Sequence, residues 1–364
     1  MAVGALTLGL QDHALLHRRV KALAEKRPGV YRMLDATGQV VYVGKAKEIR
    51  TRLLSYFRAR YPEQKAARIL HSTADIQWTY APSEFAALLR ELRLIQRHHP
   101  RHNVRMNRLR RAGFIKLSDG PAPMLYVGRS VGGSDVRHYG PFAQTSQLRD
   151  ALLVLNHLLG LRDCALRTAI AYAEQGDLFL PDRRAGCIRH ELGTCTAPCA
   201  GFVSEAEYRR RVDVATAFIE ARAIEPLDQV VRAMDRASDS QNYELAAWWR
   251  ERFDALTWLL GACAQAHAAV EALSFVYHDP GTFGDDRAYI IVRGTVRESA
   301  ASPRTPIERE AFRSLVSQHV GARGSPGPIP VEAIDETLLL LNWFRRRPGA
   351  MRRTVPLEQW LGEN

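Results

Sequence analysis

The apolar positions between residues 27 and 57 change period once. "GVYRML" and "VVYVG" are two β-branched and aromatic runs separated by the turn composition "DATGQ", so an antiparallel hairpin is predicted, with Tyr31 and Tyr42 on adjacent strands. Ile49, Leu53 and Phe57 then recur at helical spacing. They predict a helix from about Ala46 to Ala59, with Arg52 and Tyr56 as an (i, i+4) pair on the row beside the apolar one. Pro28 cannot continue a helix, so residues 1–27 read as a short helical lead. "DIQWTYA" predicts a third strand, and Ser83 an N-cap for a helix carrying Phe85, Leu88, Leu89, Leu92 and Ile95 inward. Glu84 and Glu91 both fall at the border of that stripe, and periodicity does not choose between them.

Further along, "VRHYGPFAQTSQLRDALLVLNHLLGLRDC" joins a strand-like piece to an amphipathic helix. Residues 224–256 hold two helical patterns, Leu227, Val230, Val231 and Met234 in the first and Leu245, Ala246, Trp249 and Phe253 in the second, with "SDSQNYE" as the turn. Two short helices cannot fully cover each other's apolar faces. A partner surface is therefore expected, with Tyr243, Trp249 and Phe253 as its candidates; packing on its own domain through Trp248 and Trp249 is the alternative. In the last hundred residues, "RAYIIVRGTVRES" reads as strands, "SPRTPIERE" and "GARGSPGPIP" as loops, and "VEAIDETLLLLNWFRRR" as an amphipathic helix.

A chain of 364 residues is long enough for two or three compact units. Lys and Arg number 51 against 39 for Asp and Glu, and a net charge of +12 predicts a polyanionic partner, nucleic acid being the usual one. Apolar stretches such as "ALLVLNHLLGL" are far shorter than the roughly twenty residues of a bilayer span, and no leader pattern opens the chain, so a cytoplasmic protein without a membrane partner is expected. The charge is uneven. Seven arginines and no acid lie between Arg93 and Arg111, with His98, His99 and His102 among them. Arg93, Arg97, Arg101 and Arg105 are candidates for DNA contact, against the plainer reading of a solvated helix end and linker.

Six spaced elements, "PGVY", "VYVGKA", an arginine ten residues after the second tyrosine, "SYF", "LLREL" and "HHPRHN", resemble the GIY-YIG nuclease domain of the UvrC excision-repair family. By position the resemblance implies Tyr31, Tyr42, Lys45, Arg52, Tyr56 and Asn103 as catalytic residues and Glu91 as the ligand of Mg²⁺ or Mn²⁺, which favours Glu91 over Glu84. His102 stands where the family often has an aromatic. The residue types suit the chemistry on their own terms. Hydrolysing a phosphodiester needs an activated water, charge neutralisation on the phosphoryl oxygens and help for the leaving group. A single carboxylate suits one hydrated Mg²⁺. A phenol beside cations can accept a proton from water, so Tyr42 is the expected base, with Tyr31 orienting it, Arg52 gripping the phosphate and Lys45 adding charge.

Cys164, Cys187, Cys195 and Cys199 are four of five cysteines, the last three within "GCIRHELGTCTAPCAG". A cytosolic setting argues for metal rather than disulfides. Four thiolates suit either tetrahedral zinc or a [4Fe-4S] cluster, and without close Cys-x-x-Cys pairs the spacing leaves both open. The segment, including its "APC" triplet, resembles the cysteine-rich part of UvrC proteins, which implies an iron-sulfur cluster. Cys263 reads as a core residue. The hairpin over 224–258 resembles the UVR motif by which that family engages UvrB.

The expected fold class is thus α+β: a helical lead over 1–27, a GIY-YIG domain over 28–107 with a small antiparallel sheet flanked by helices, a helical Cys-rich region over 108–223, the UVR-like hairpin over 224–258 and a small α/β module over 259–364. The family's second nuclease domain, of RNase H type, and its helix-hairpin-helix tail have no counterpart. The resemblance therefore implies one incision, on the 3′ side of a lesion in double-stranded DNA presented by a UvrB-like protein, as in the short Cho-type homologues. The hairpin is a departure from the shortest of these. Two rival readings are a GIY-YIG nuclease that needs no partner and a DNA-binding adaptor without a working site.

Overall fold

The computed structural model describes residues 8–103, 112–129, 136–175, 186–320 and 327–362. It divides into two compact units, one holding residues up to 103, those from Leu273 to 320 and those from Asp335 onward, the other holding the described residues from 112 to Ala272 and from 327 to Ile334.

The first unit opens with α1 (Leu8–Leu23), β1 (Gly29–Leu34), β2 (Val40–Ala46), α2 (Ile49–Tyr56), α3 (Lys65–His71), β3 (Asp75–Tyr80) and α4 (Glu84–His98). Its antiparallel sheet has the order β2-β1-β3, so the strand carrying Tyr31 is central. Asp35 shapes the hairpin turn by accepting from the backbone N–H groups of Thr37 and Gln39. One sheet face packs Met33, Val41 and Ile76 against Ile49, Leu53 and Tyr56 of α2; the other sets Val30 and Val43 against Ala87 of α4. Helix α2 is shorter than the expected span from Ala46 to Ala59. β2 stays extended through Ala46, which pairs with Gly29, and Glu48 is still extended before the first turn.

The second unit holds β4 (Gly113–Ser118), β5 (Leu125–Gly128), β6 (Val136–Phe142), α5 (Thr145–Leu158), α6 (Ile188–Glu191), α7 (Glu205–Ile219), α8 (Glu225–Asp239) and α9 (Tyr243–Glu271). The region expected to be helical therefore also contains an antiparallel sheet, in the order β5-β4-β6. One core joins Ile115, Leu117 and Tyr139 of the sheet to Leu148 and Leu155 of α5, Phe218 of α7, Val230 of α8 and Leu256, Leu259 and Cys263 of α9. α9 runs past 256 to Glu271 and buries Leu256, Leu259, Cys263, Ala266 and Val270. The hairpin is thus built into this unit's core.

The chain then returns to the first unit with β7 (Phe275–Asp279), β8 (Arg287–Val292), β9 (Thr295–Ala301), α10 (Pro306–Val320), α11 (Val331–Arg346, from Asp335), α12 (Pro348–Met351), β10 (Thr354–Pro356) and α13 (Leu357–Leu361). The sheet order is β10-β7-β8-β9, all antiparallel. The expected module over 259–364 is therefore divided: its first residues complete α9, and the strands share a unit with the GIY-YIG-like portion. The reason lies in α4. Its apolar residues do not form one inward stripe: Phe85, Leu89 and Leu92 face β7, β8 and α11, whereas Ala87 and Ile95 face β1 and β2. The Phe85 ring lies 4.9 Å from Tyr277 and from Tyr289 and 5.1 Å from Trp343, with edge-to-face geometry to both tyrosines. Ser83, which caps α4 by accepting from the Ala86 N–H at 3.0 Å, also donates to the buried Asp279 carboxylate. Among the described residues, no helix is long and apolar enough to cross a membrane.

Candidate nuclease site and cysteine cavity

Tyr31 and Tyr56 meet with their hydroxyls 2.8 Å apart and both side chains buried. The half-buried Tyr42 completes a three-ring cluster, its centroid 6.1 Å from Tyr31 and 6.3 Å from Tyr56. Register explains the arrangement: Tyr31 pairs with Gly44 and Met33 with Tyr42, so the two tyrosines are diagonal neighbours on one sheet face. A Cβ at Gly44 would collide with the Tyr31 hydroxyl, so the strand passes over that phenol only as glycine. Burial raises the pKa of Tyr31 and of Tyr56, and both stay protonated at neutral pH.

Arg52 reaches this cluster from α2, with Nε 3.4 Å from the Tyr31 hydroxyl, Nη2 3.5 Å from that of Tyr56 and its guanidinium carbon 5.0 Å from the Tyr56 ring centre. The (i, i+4) relation is met, although Tyr56 lies in the core rather than at its edge. On α4, Glu91 Oε1 accepts from the Lys45 backbone N–H at 3.1 Å. Burial pushes its carboxyl up to about 7, against the opposing charges of Lys45 and Arg52.

Glu84 has a different fate. Its carboxylate lies 3.4 Å from Lys45 Nζ, 3.2 Å from Lys47 Nζ and 3.0 Å from Arg347 Nη2. Partial burial works against ionisation there, but the three cations outweigh it and hold the carboxyl below its usual range. The Lys45 ammonium is thus directed to Glu84, and the lysine near Tyr42 is Lys65, 6.0 Å from the ring centre. Asn103 is likewise engaged elsewhere, with the backbone of β2: Oδ1 accepts from the Val43 N–H at 2.8 Å and Nδ2 donates to the Val43 carbonyl at 2.7 Å. That clasp fixes the strand between Tyr42 and Gly44. His102 is accommodated by hydrogen bonds from its N–H to the Val41 carbonyl and between its ring and the Ser72 hydroxyl.

The donor set suits one divalent cation. Glu91 is a carboxylate inside the fold with one amide donor and no ion pair of its own among the described residues. No three His, Cys, Asp or Glu side chains among the described residues come together as a ligand cluster. A strongly hydrated ion such as Mg²⁺ needs no such cluster.

In the second unit Cys164, Cys187, Cys195 and Cys199 line one cavity of about 300 Å³, with Arg162, Asp163, Arg189 and His190 beside them. Arg162 Nη1 lies 3.6 Å from Cys164 Sγ, and the Ala197 N–H donates to Cys195 Sγ at 3.4 Å. Burial, reinforced by the neighbouring thiols, raises Cys195 and Cys199. Cys263 is in the core of α9, its thiol pushed up to about 12 by burial.

Of the remaining candidates, Arg93 and Arg97 line a cavity beside α4, Arg97 and Arg101 a second one, and Arg105 lies outside the described residues. At the hairpin, Tyr243 is exposed, whereas Trp249 and Phe253 pack against their own unit's core. Trp248 and Leu245 take the exposed places, with the Arg252 guanidinium 3.0 Å from the Trp248 ring centre. Sequence reasoning missed Lys65, Lys47 and Arg347. The last is 263 positions from Glu84, a separation at which no local pattern carries a signal.

Two family models match the chain: a UvrC-like GIY-YIG domain over residues 27–104 and a UvrC/Cho excinuclease middle domain over 113–218. Proteins named UvrABC system protein C are similar. That of Serratia proteamaculans is 35% identical over 231 residues, 63% of this chain and 36% of its own length. That of Alcanivorax borkumensis is 33% identical over 245 residues, 67% and 38% respectively. The chain thus spans little more than a third of the length of these curated relatives. Among solved structures, the N-terminal GIY-YIG endonuclease domain of UvrC from Thermotoga maritima, bound to magnesium as its catalytic divalent cation, is 31% identical, covering 25% of this chain and 97% of that one with a TM-score of 0.22.

Proposed function

The chain belongs to the UvrC/Cho excinuclease family, of which it carries the GIY-YIG and middle domains, and from that premise we propose that it is a metal-dependent DNA endonuclease of nucleotide excision repair. The observation that carries the reading is the convergence of the Glu91 carboxyl, the Arg52 guanidinium and three phenols in one unit, while the competing acid, Glu84, is neutralised by three cations.

Each group has a role suited to its surroundings. Arg52 offers a fork of N–H donors to the oxygens of the scissile phosphate. Tyr42, more accessible than its partners and near the charges of Arg52 and Lys65, is the base, its phenolate form taking the proton of the attacking water and becoming the phenol. Tyr31 and Tyr56 remain protonated; their paired hydroxyls hold Arg52 in place, and their rings pack against that of Tyr42. Glu91 would hold Mg²⁺ or Mn²⁺, which supplies positive charge to the developing oxyanion. Asn103 and Gly44 are positioning residues, one clasping β2 and the other admitting the Tyr31 hydroxyl.

The finer parts of the reading follow from other features. The four cysteines line one cavity, which supports a metal group held by their thiolates, and the resemblance to the cysteine-rich part of UvrC proteins favours a [4Fe-4S] cluster over zinc. The exposed Tyr243, Leu245 and Trp248 support docking of a UvrB-like protein, which would bring the nuclease to damaged double-stranded DNA in the cytoplasm. The resemblance to the short Cho-type homologues favours an incision by this site on the 3′ side of the lesion.

The test is a nicking assay on a duplex carrying one lesion, with Mg²⁺ and a UvrB-like protein, comparing the parent with Glu91→Gln. Loss of a single 3′ nick in the variant is expected. Nicking by the variant would overturn the site, and equal nicking of undamaged DNA without the partner would make the chain a free-standing nuclease.

A further inference from the structure

The row of arginines on α4 turns away from the candidate active site. At 3.6 residues per turn, Arg90, Arg93 and Arg97 share one side of α4, roughly 120° round the helix from Glu91. There they line a cavity of about 520 Å³ whose opposite wall is Arg287 and Tyr289 of β8 and Ser299 of β9. We infer that α4 and the C-terminal sheet form a second nucleic-acid groove, which grips the phosphate backbone of DNA beside the segment held at Glu91 and Arg52. This deepens the nuclease reading and rests on the chain being a DNA-acting protein.

Charge and spacing carry the inference. Arg90, Arg93 and Arg97 are exposed, and none has a carboxylate within ion-pair distance among the described residues. Of the three, Arg93 acts on the half-buried Glu336, which also accepts the Val296 N–H at 2.7 Å and lies near Arg297. Arg287 is held in place by donating to the Ser299 carbonyl at 3.0 Å and hydroxyl at 3.1 Å. A helical rise of about 1.5 Å per residue separates Arg90 and Arg97 by about 10 Å along the axis. That matches about three phosphate-to-phosphate steps along one DNA strand. Arg97 also lines the neighbouring cavity of about 480 Å³ with His98, His99 and Arg101, where Asp35 is the one acid among the lining residues, so a wall of net basic character continues from β8 along α4 to the β1–β2 turn. The C-terminal strands, whose role the sequence left blank, would thereby supply half of the groove.

The full chain carrying Glu91→Gln, so that DNA is bound and not cut, is titrated onto a fluorescent duplex at several salt concentrations. Arg90→Gln and Arg287→Gln are each expected to weaken binding and to flatten the slope of log K against log salt by about 0.9, the value of one lost phosphate contact. Arg90→Lys should keep the parent slope, because a phosphate contact needs only the charge. Ser299→Asp, which adds a carboxylate to the wall without removing Arg287, should weaken binding too. Parent slopes in both glutamine variants, or equal flattening by Arg309→Gln on the exposed side of α10, would overturn the groove. Failure of the parent to nick would instead overturn the active-site reading, since these slopes are measured without cleavage.

Discussion

Glu84 and Glu91 stand about two turns apart on α4 and differ in almost everything their surroundings impose. The first turn of α4 meets Lys45, Lys47 and, from the far end of the chain, Arg347, and the Glu84 carboxyl is held ionised. The third turn meets the edge of β2 and the tyrosine cluster, and Glu91 receives one backbone N–H while burial pushes its carboxyl up to about 7. A neutralised acid stabilises the fold. An acid that burial leaves short of positive charge is available to a cation from outside. Residue type and helical row are shared, so the difference comes from which elements cover each turn.

The widest separation between the two acids should appear in turnover. Glu91→Gln is expected to lower the nicking rate by about 10³-fold, the equivalent of about 4 kcal/mol of charge stabilisation, while Glu84→Gln stays within about tenfold of the parent. Equal losses in single-turnover assays would erase the distinction. Arg52→Lys comes next, keeping the charge and losing the fork, with a fall of about 10²-fold in kcat and little change in KM. In urea unfolding without metal the order of the acids reverses. Glu84→Gln strands three cations and costs about 1 kcal/mol after allowance for their exposure, whereas Glu91→Gln leaves stability unchanged or raised. The smallest effect concerns the contact that seats the first turn of α4. Burial raises the Asp279 carboxyl above its unfolded value, so its favourable contribution is complete at acid pH and is lost as pH rises through the folded value. Melting of Asp279→Asn against the parent at pH 5 and pH 8 should therefore shift in the variant's favour at the higher pH.

Much of the nuclease portion was legible because its signals are local. The hairpin, the third strand and the Ser83 cap each depend on residues within one element or one turn, and they fall where alternation and turn composition put them. Tyr31, Tyr42, Arg52 and Tyr56 share one cluster for the same reason, since strand register and (i, i+4) spacing set their neighbours. Periodicity was blind where one helix serves two cores. It gave α4 a single inward stripe, whereas Phe85 and Leu89 belong to the C-terminal sheet and Ala87 and Ile95 to the nuclease sheet. The same blindness made Trp249 and Phe253 look available to a partner, because a helix pattern does not say whether its apolar face is already covered.

Residue order alone determined the N-terminal hairpin, the third strand and the capped start of α4, the basic character of the chain and the candidate groups for cleaving a phosphodiester, because each depends on composition or on spacings of a few residues. Tertiary structure alone decided which glutamate is paired with cations and which is left to a cation from outside, that Asn103 clasps a strand, that four distant cysteines line one cavity and that the last strands join the nuclease unit. Those outcomes depend on burial and on contacts between residues far apart in the chain. A carboxyl's electrostatics follow from the elements that enclose it, and these are fixed only when the whole chain has folded.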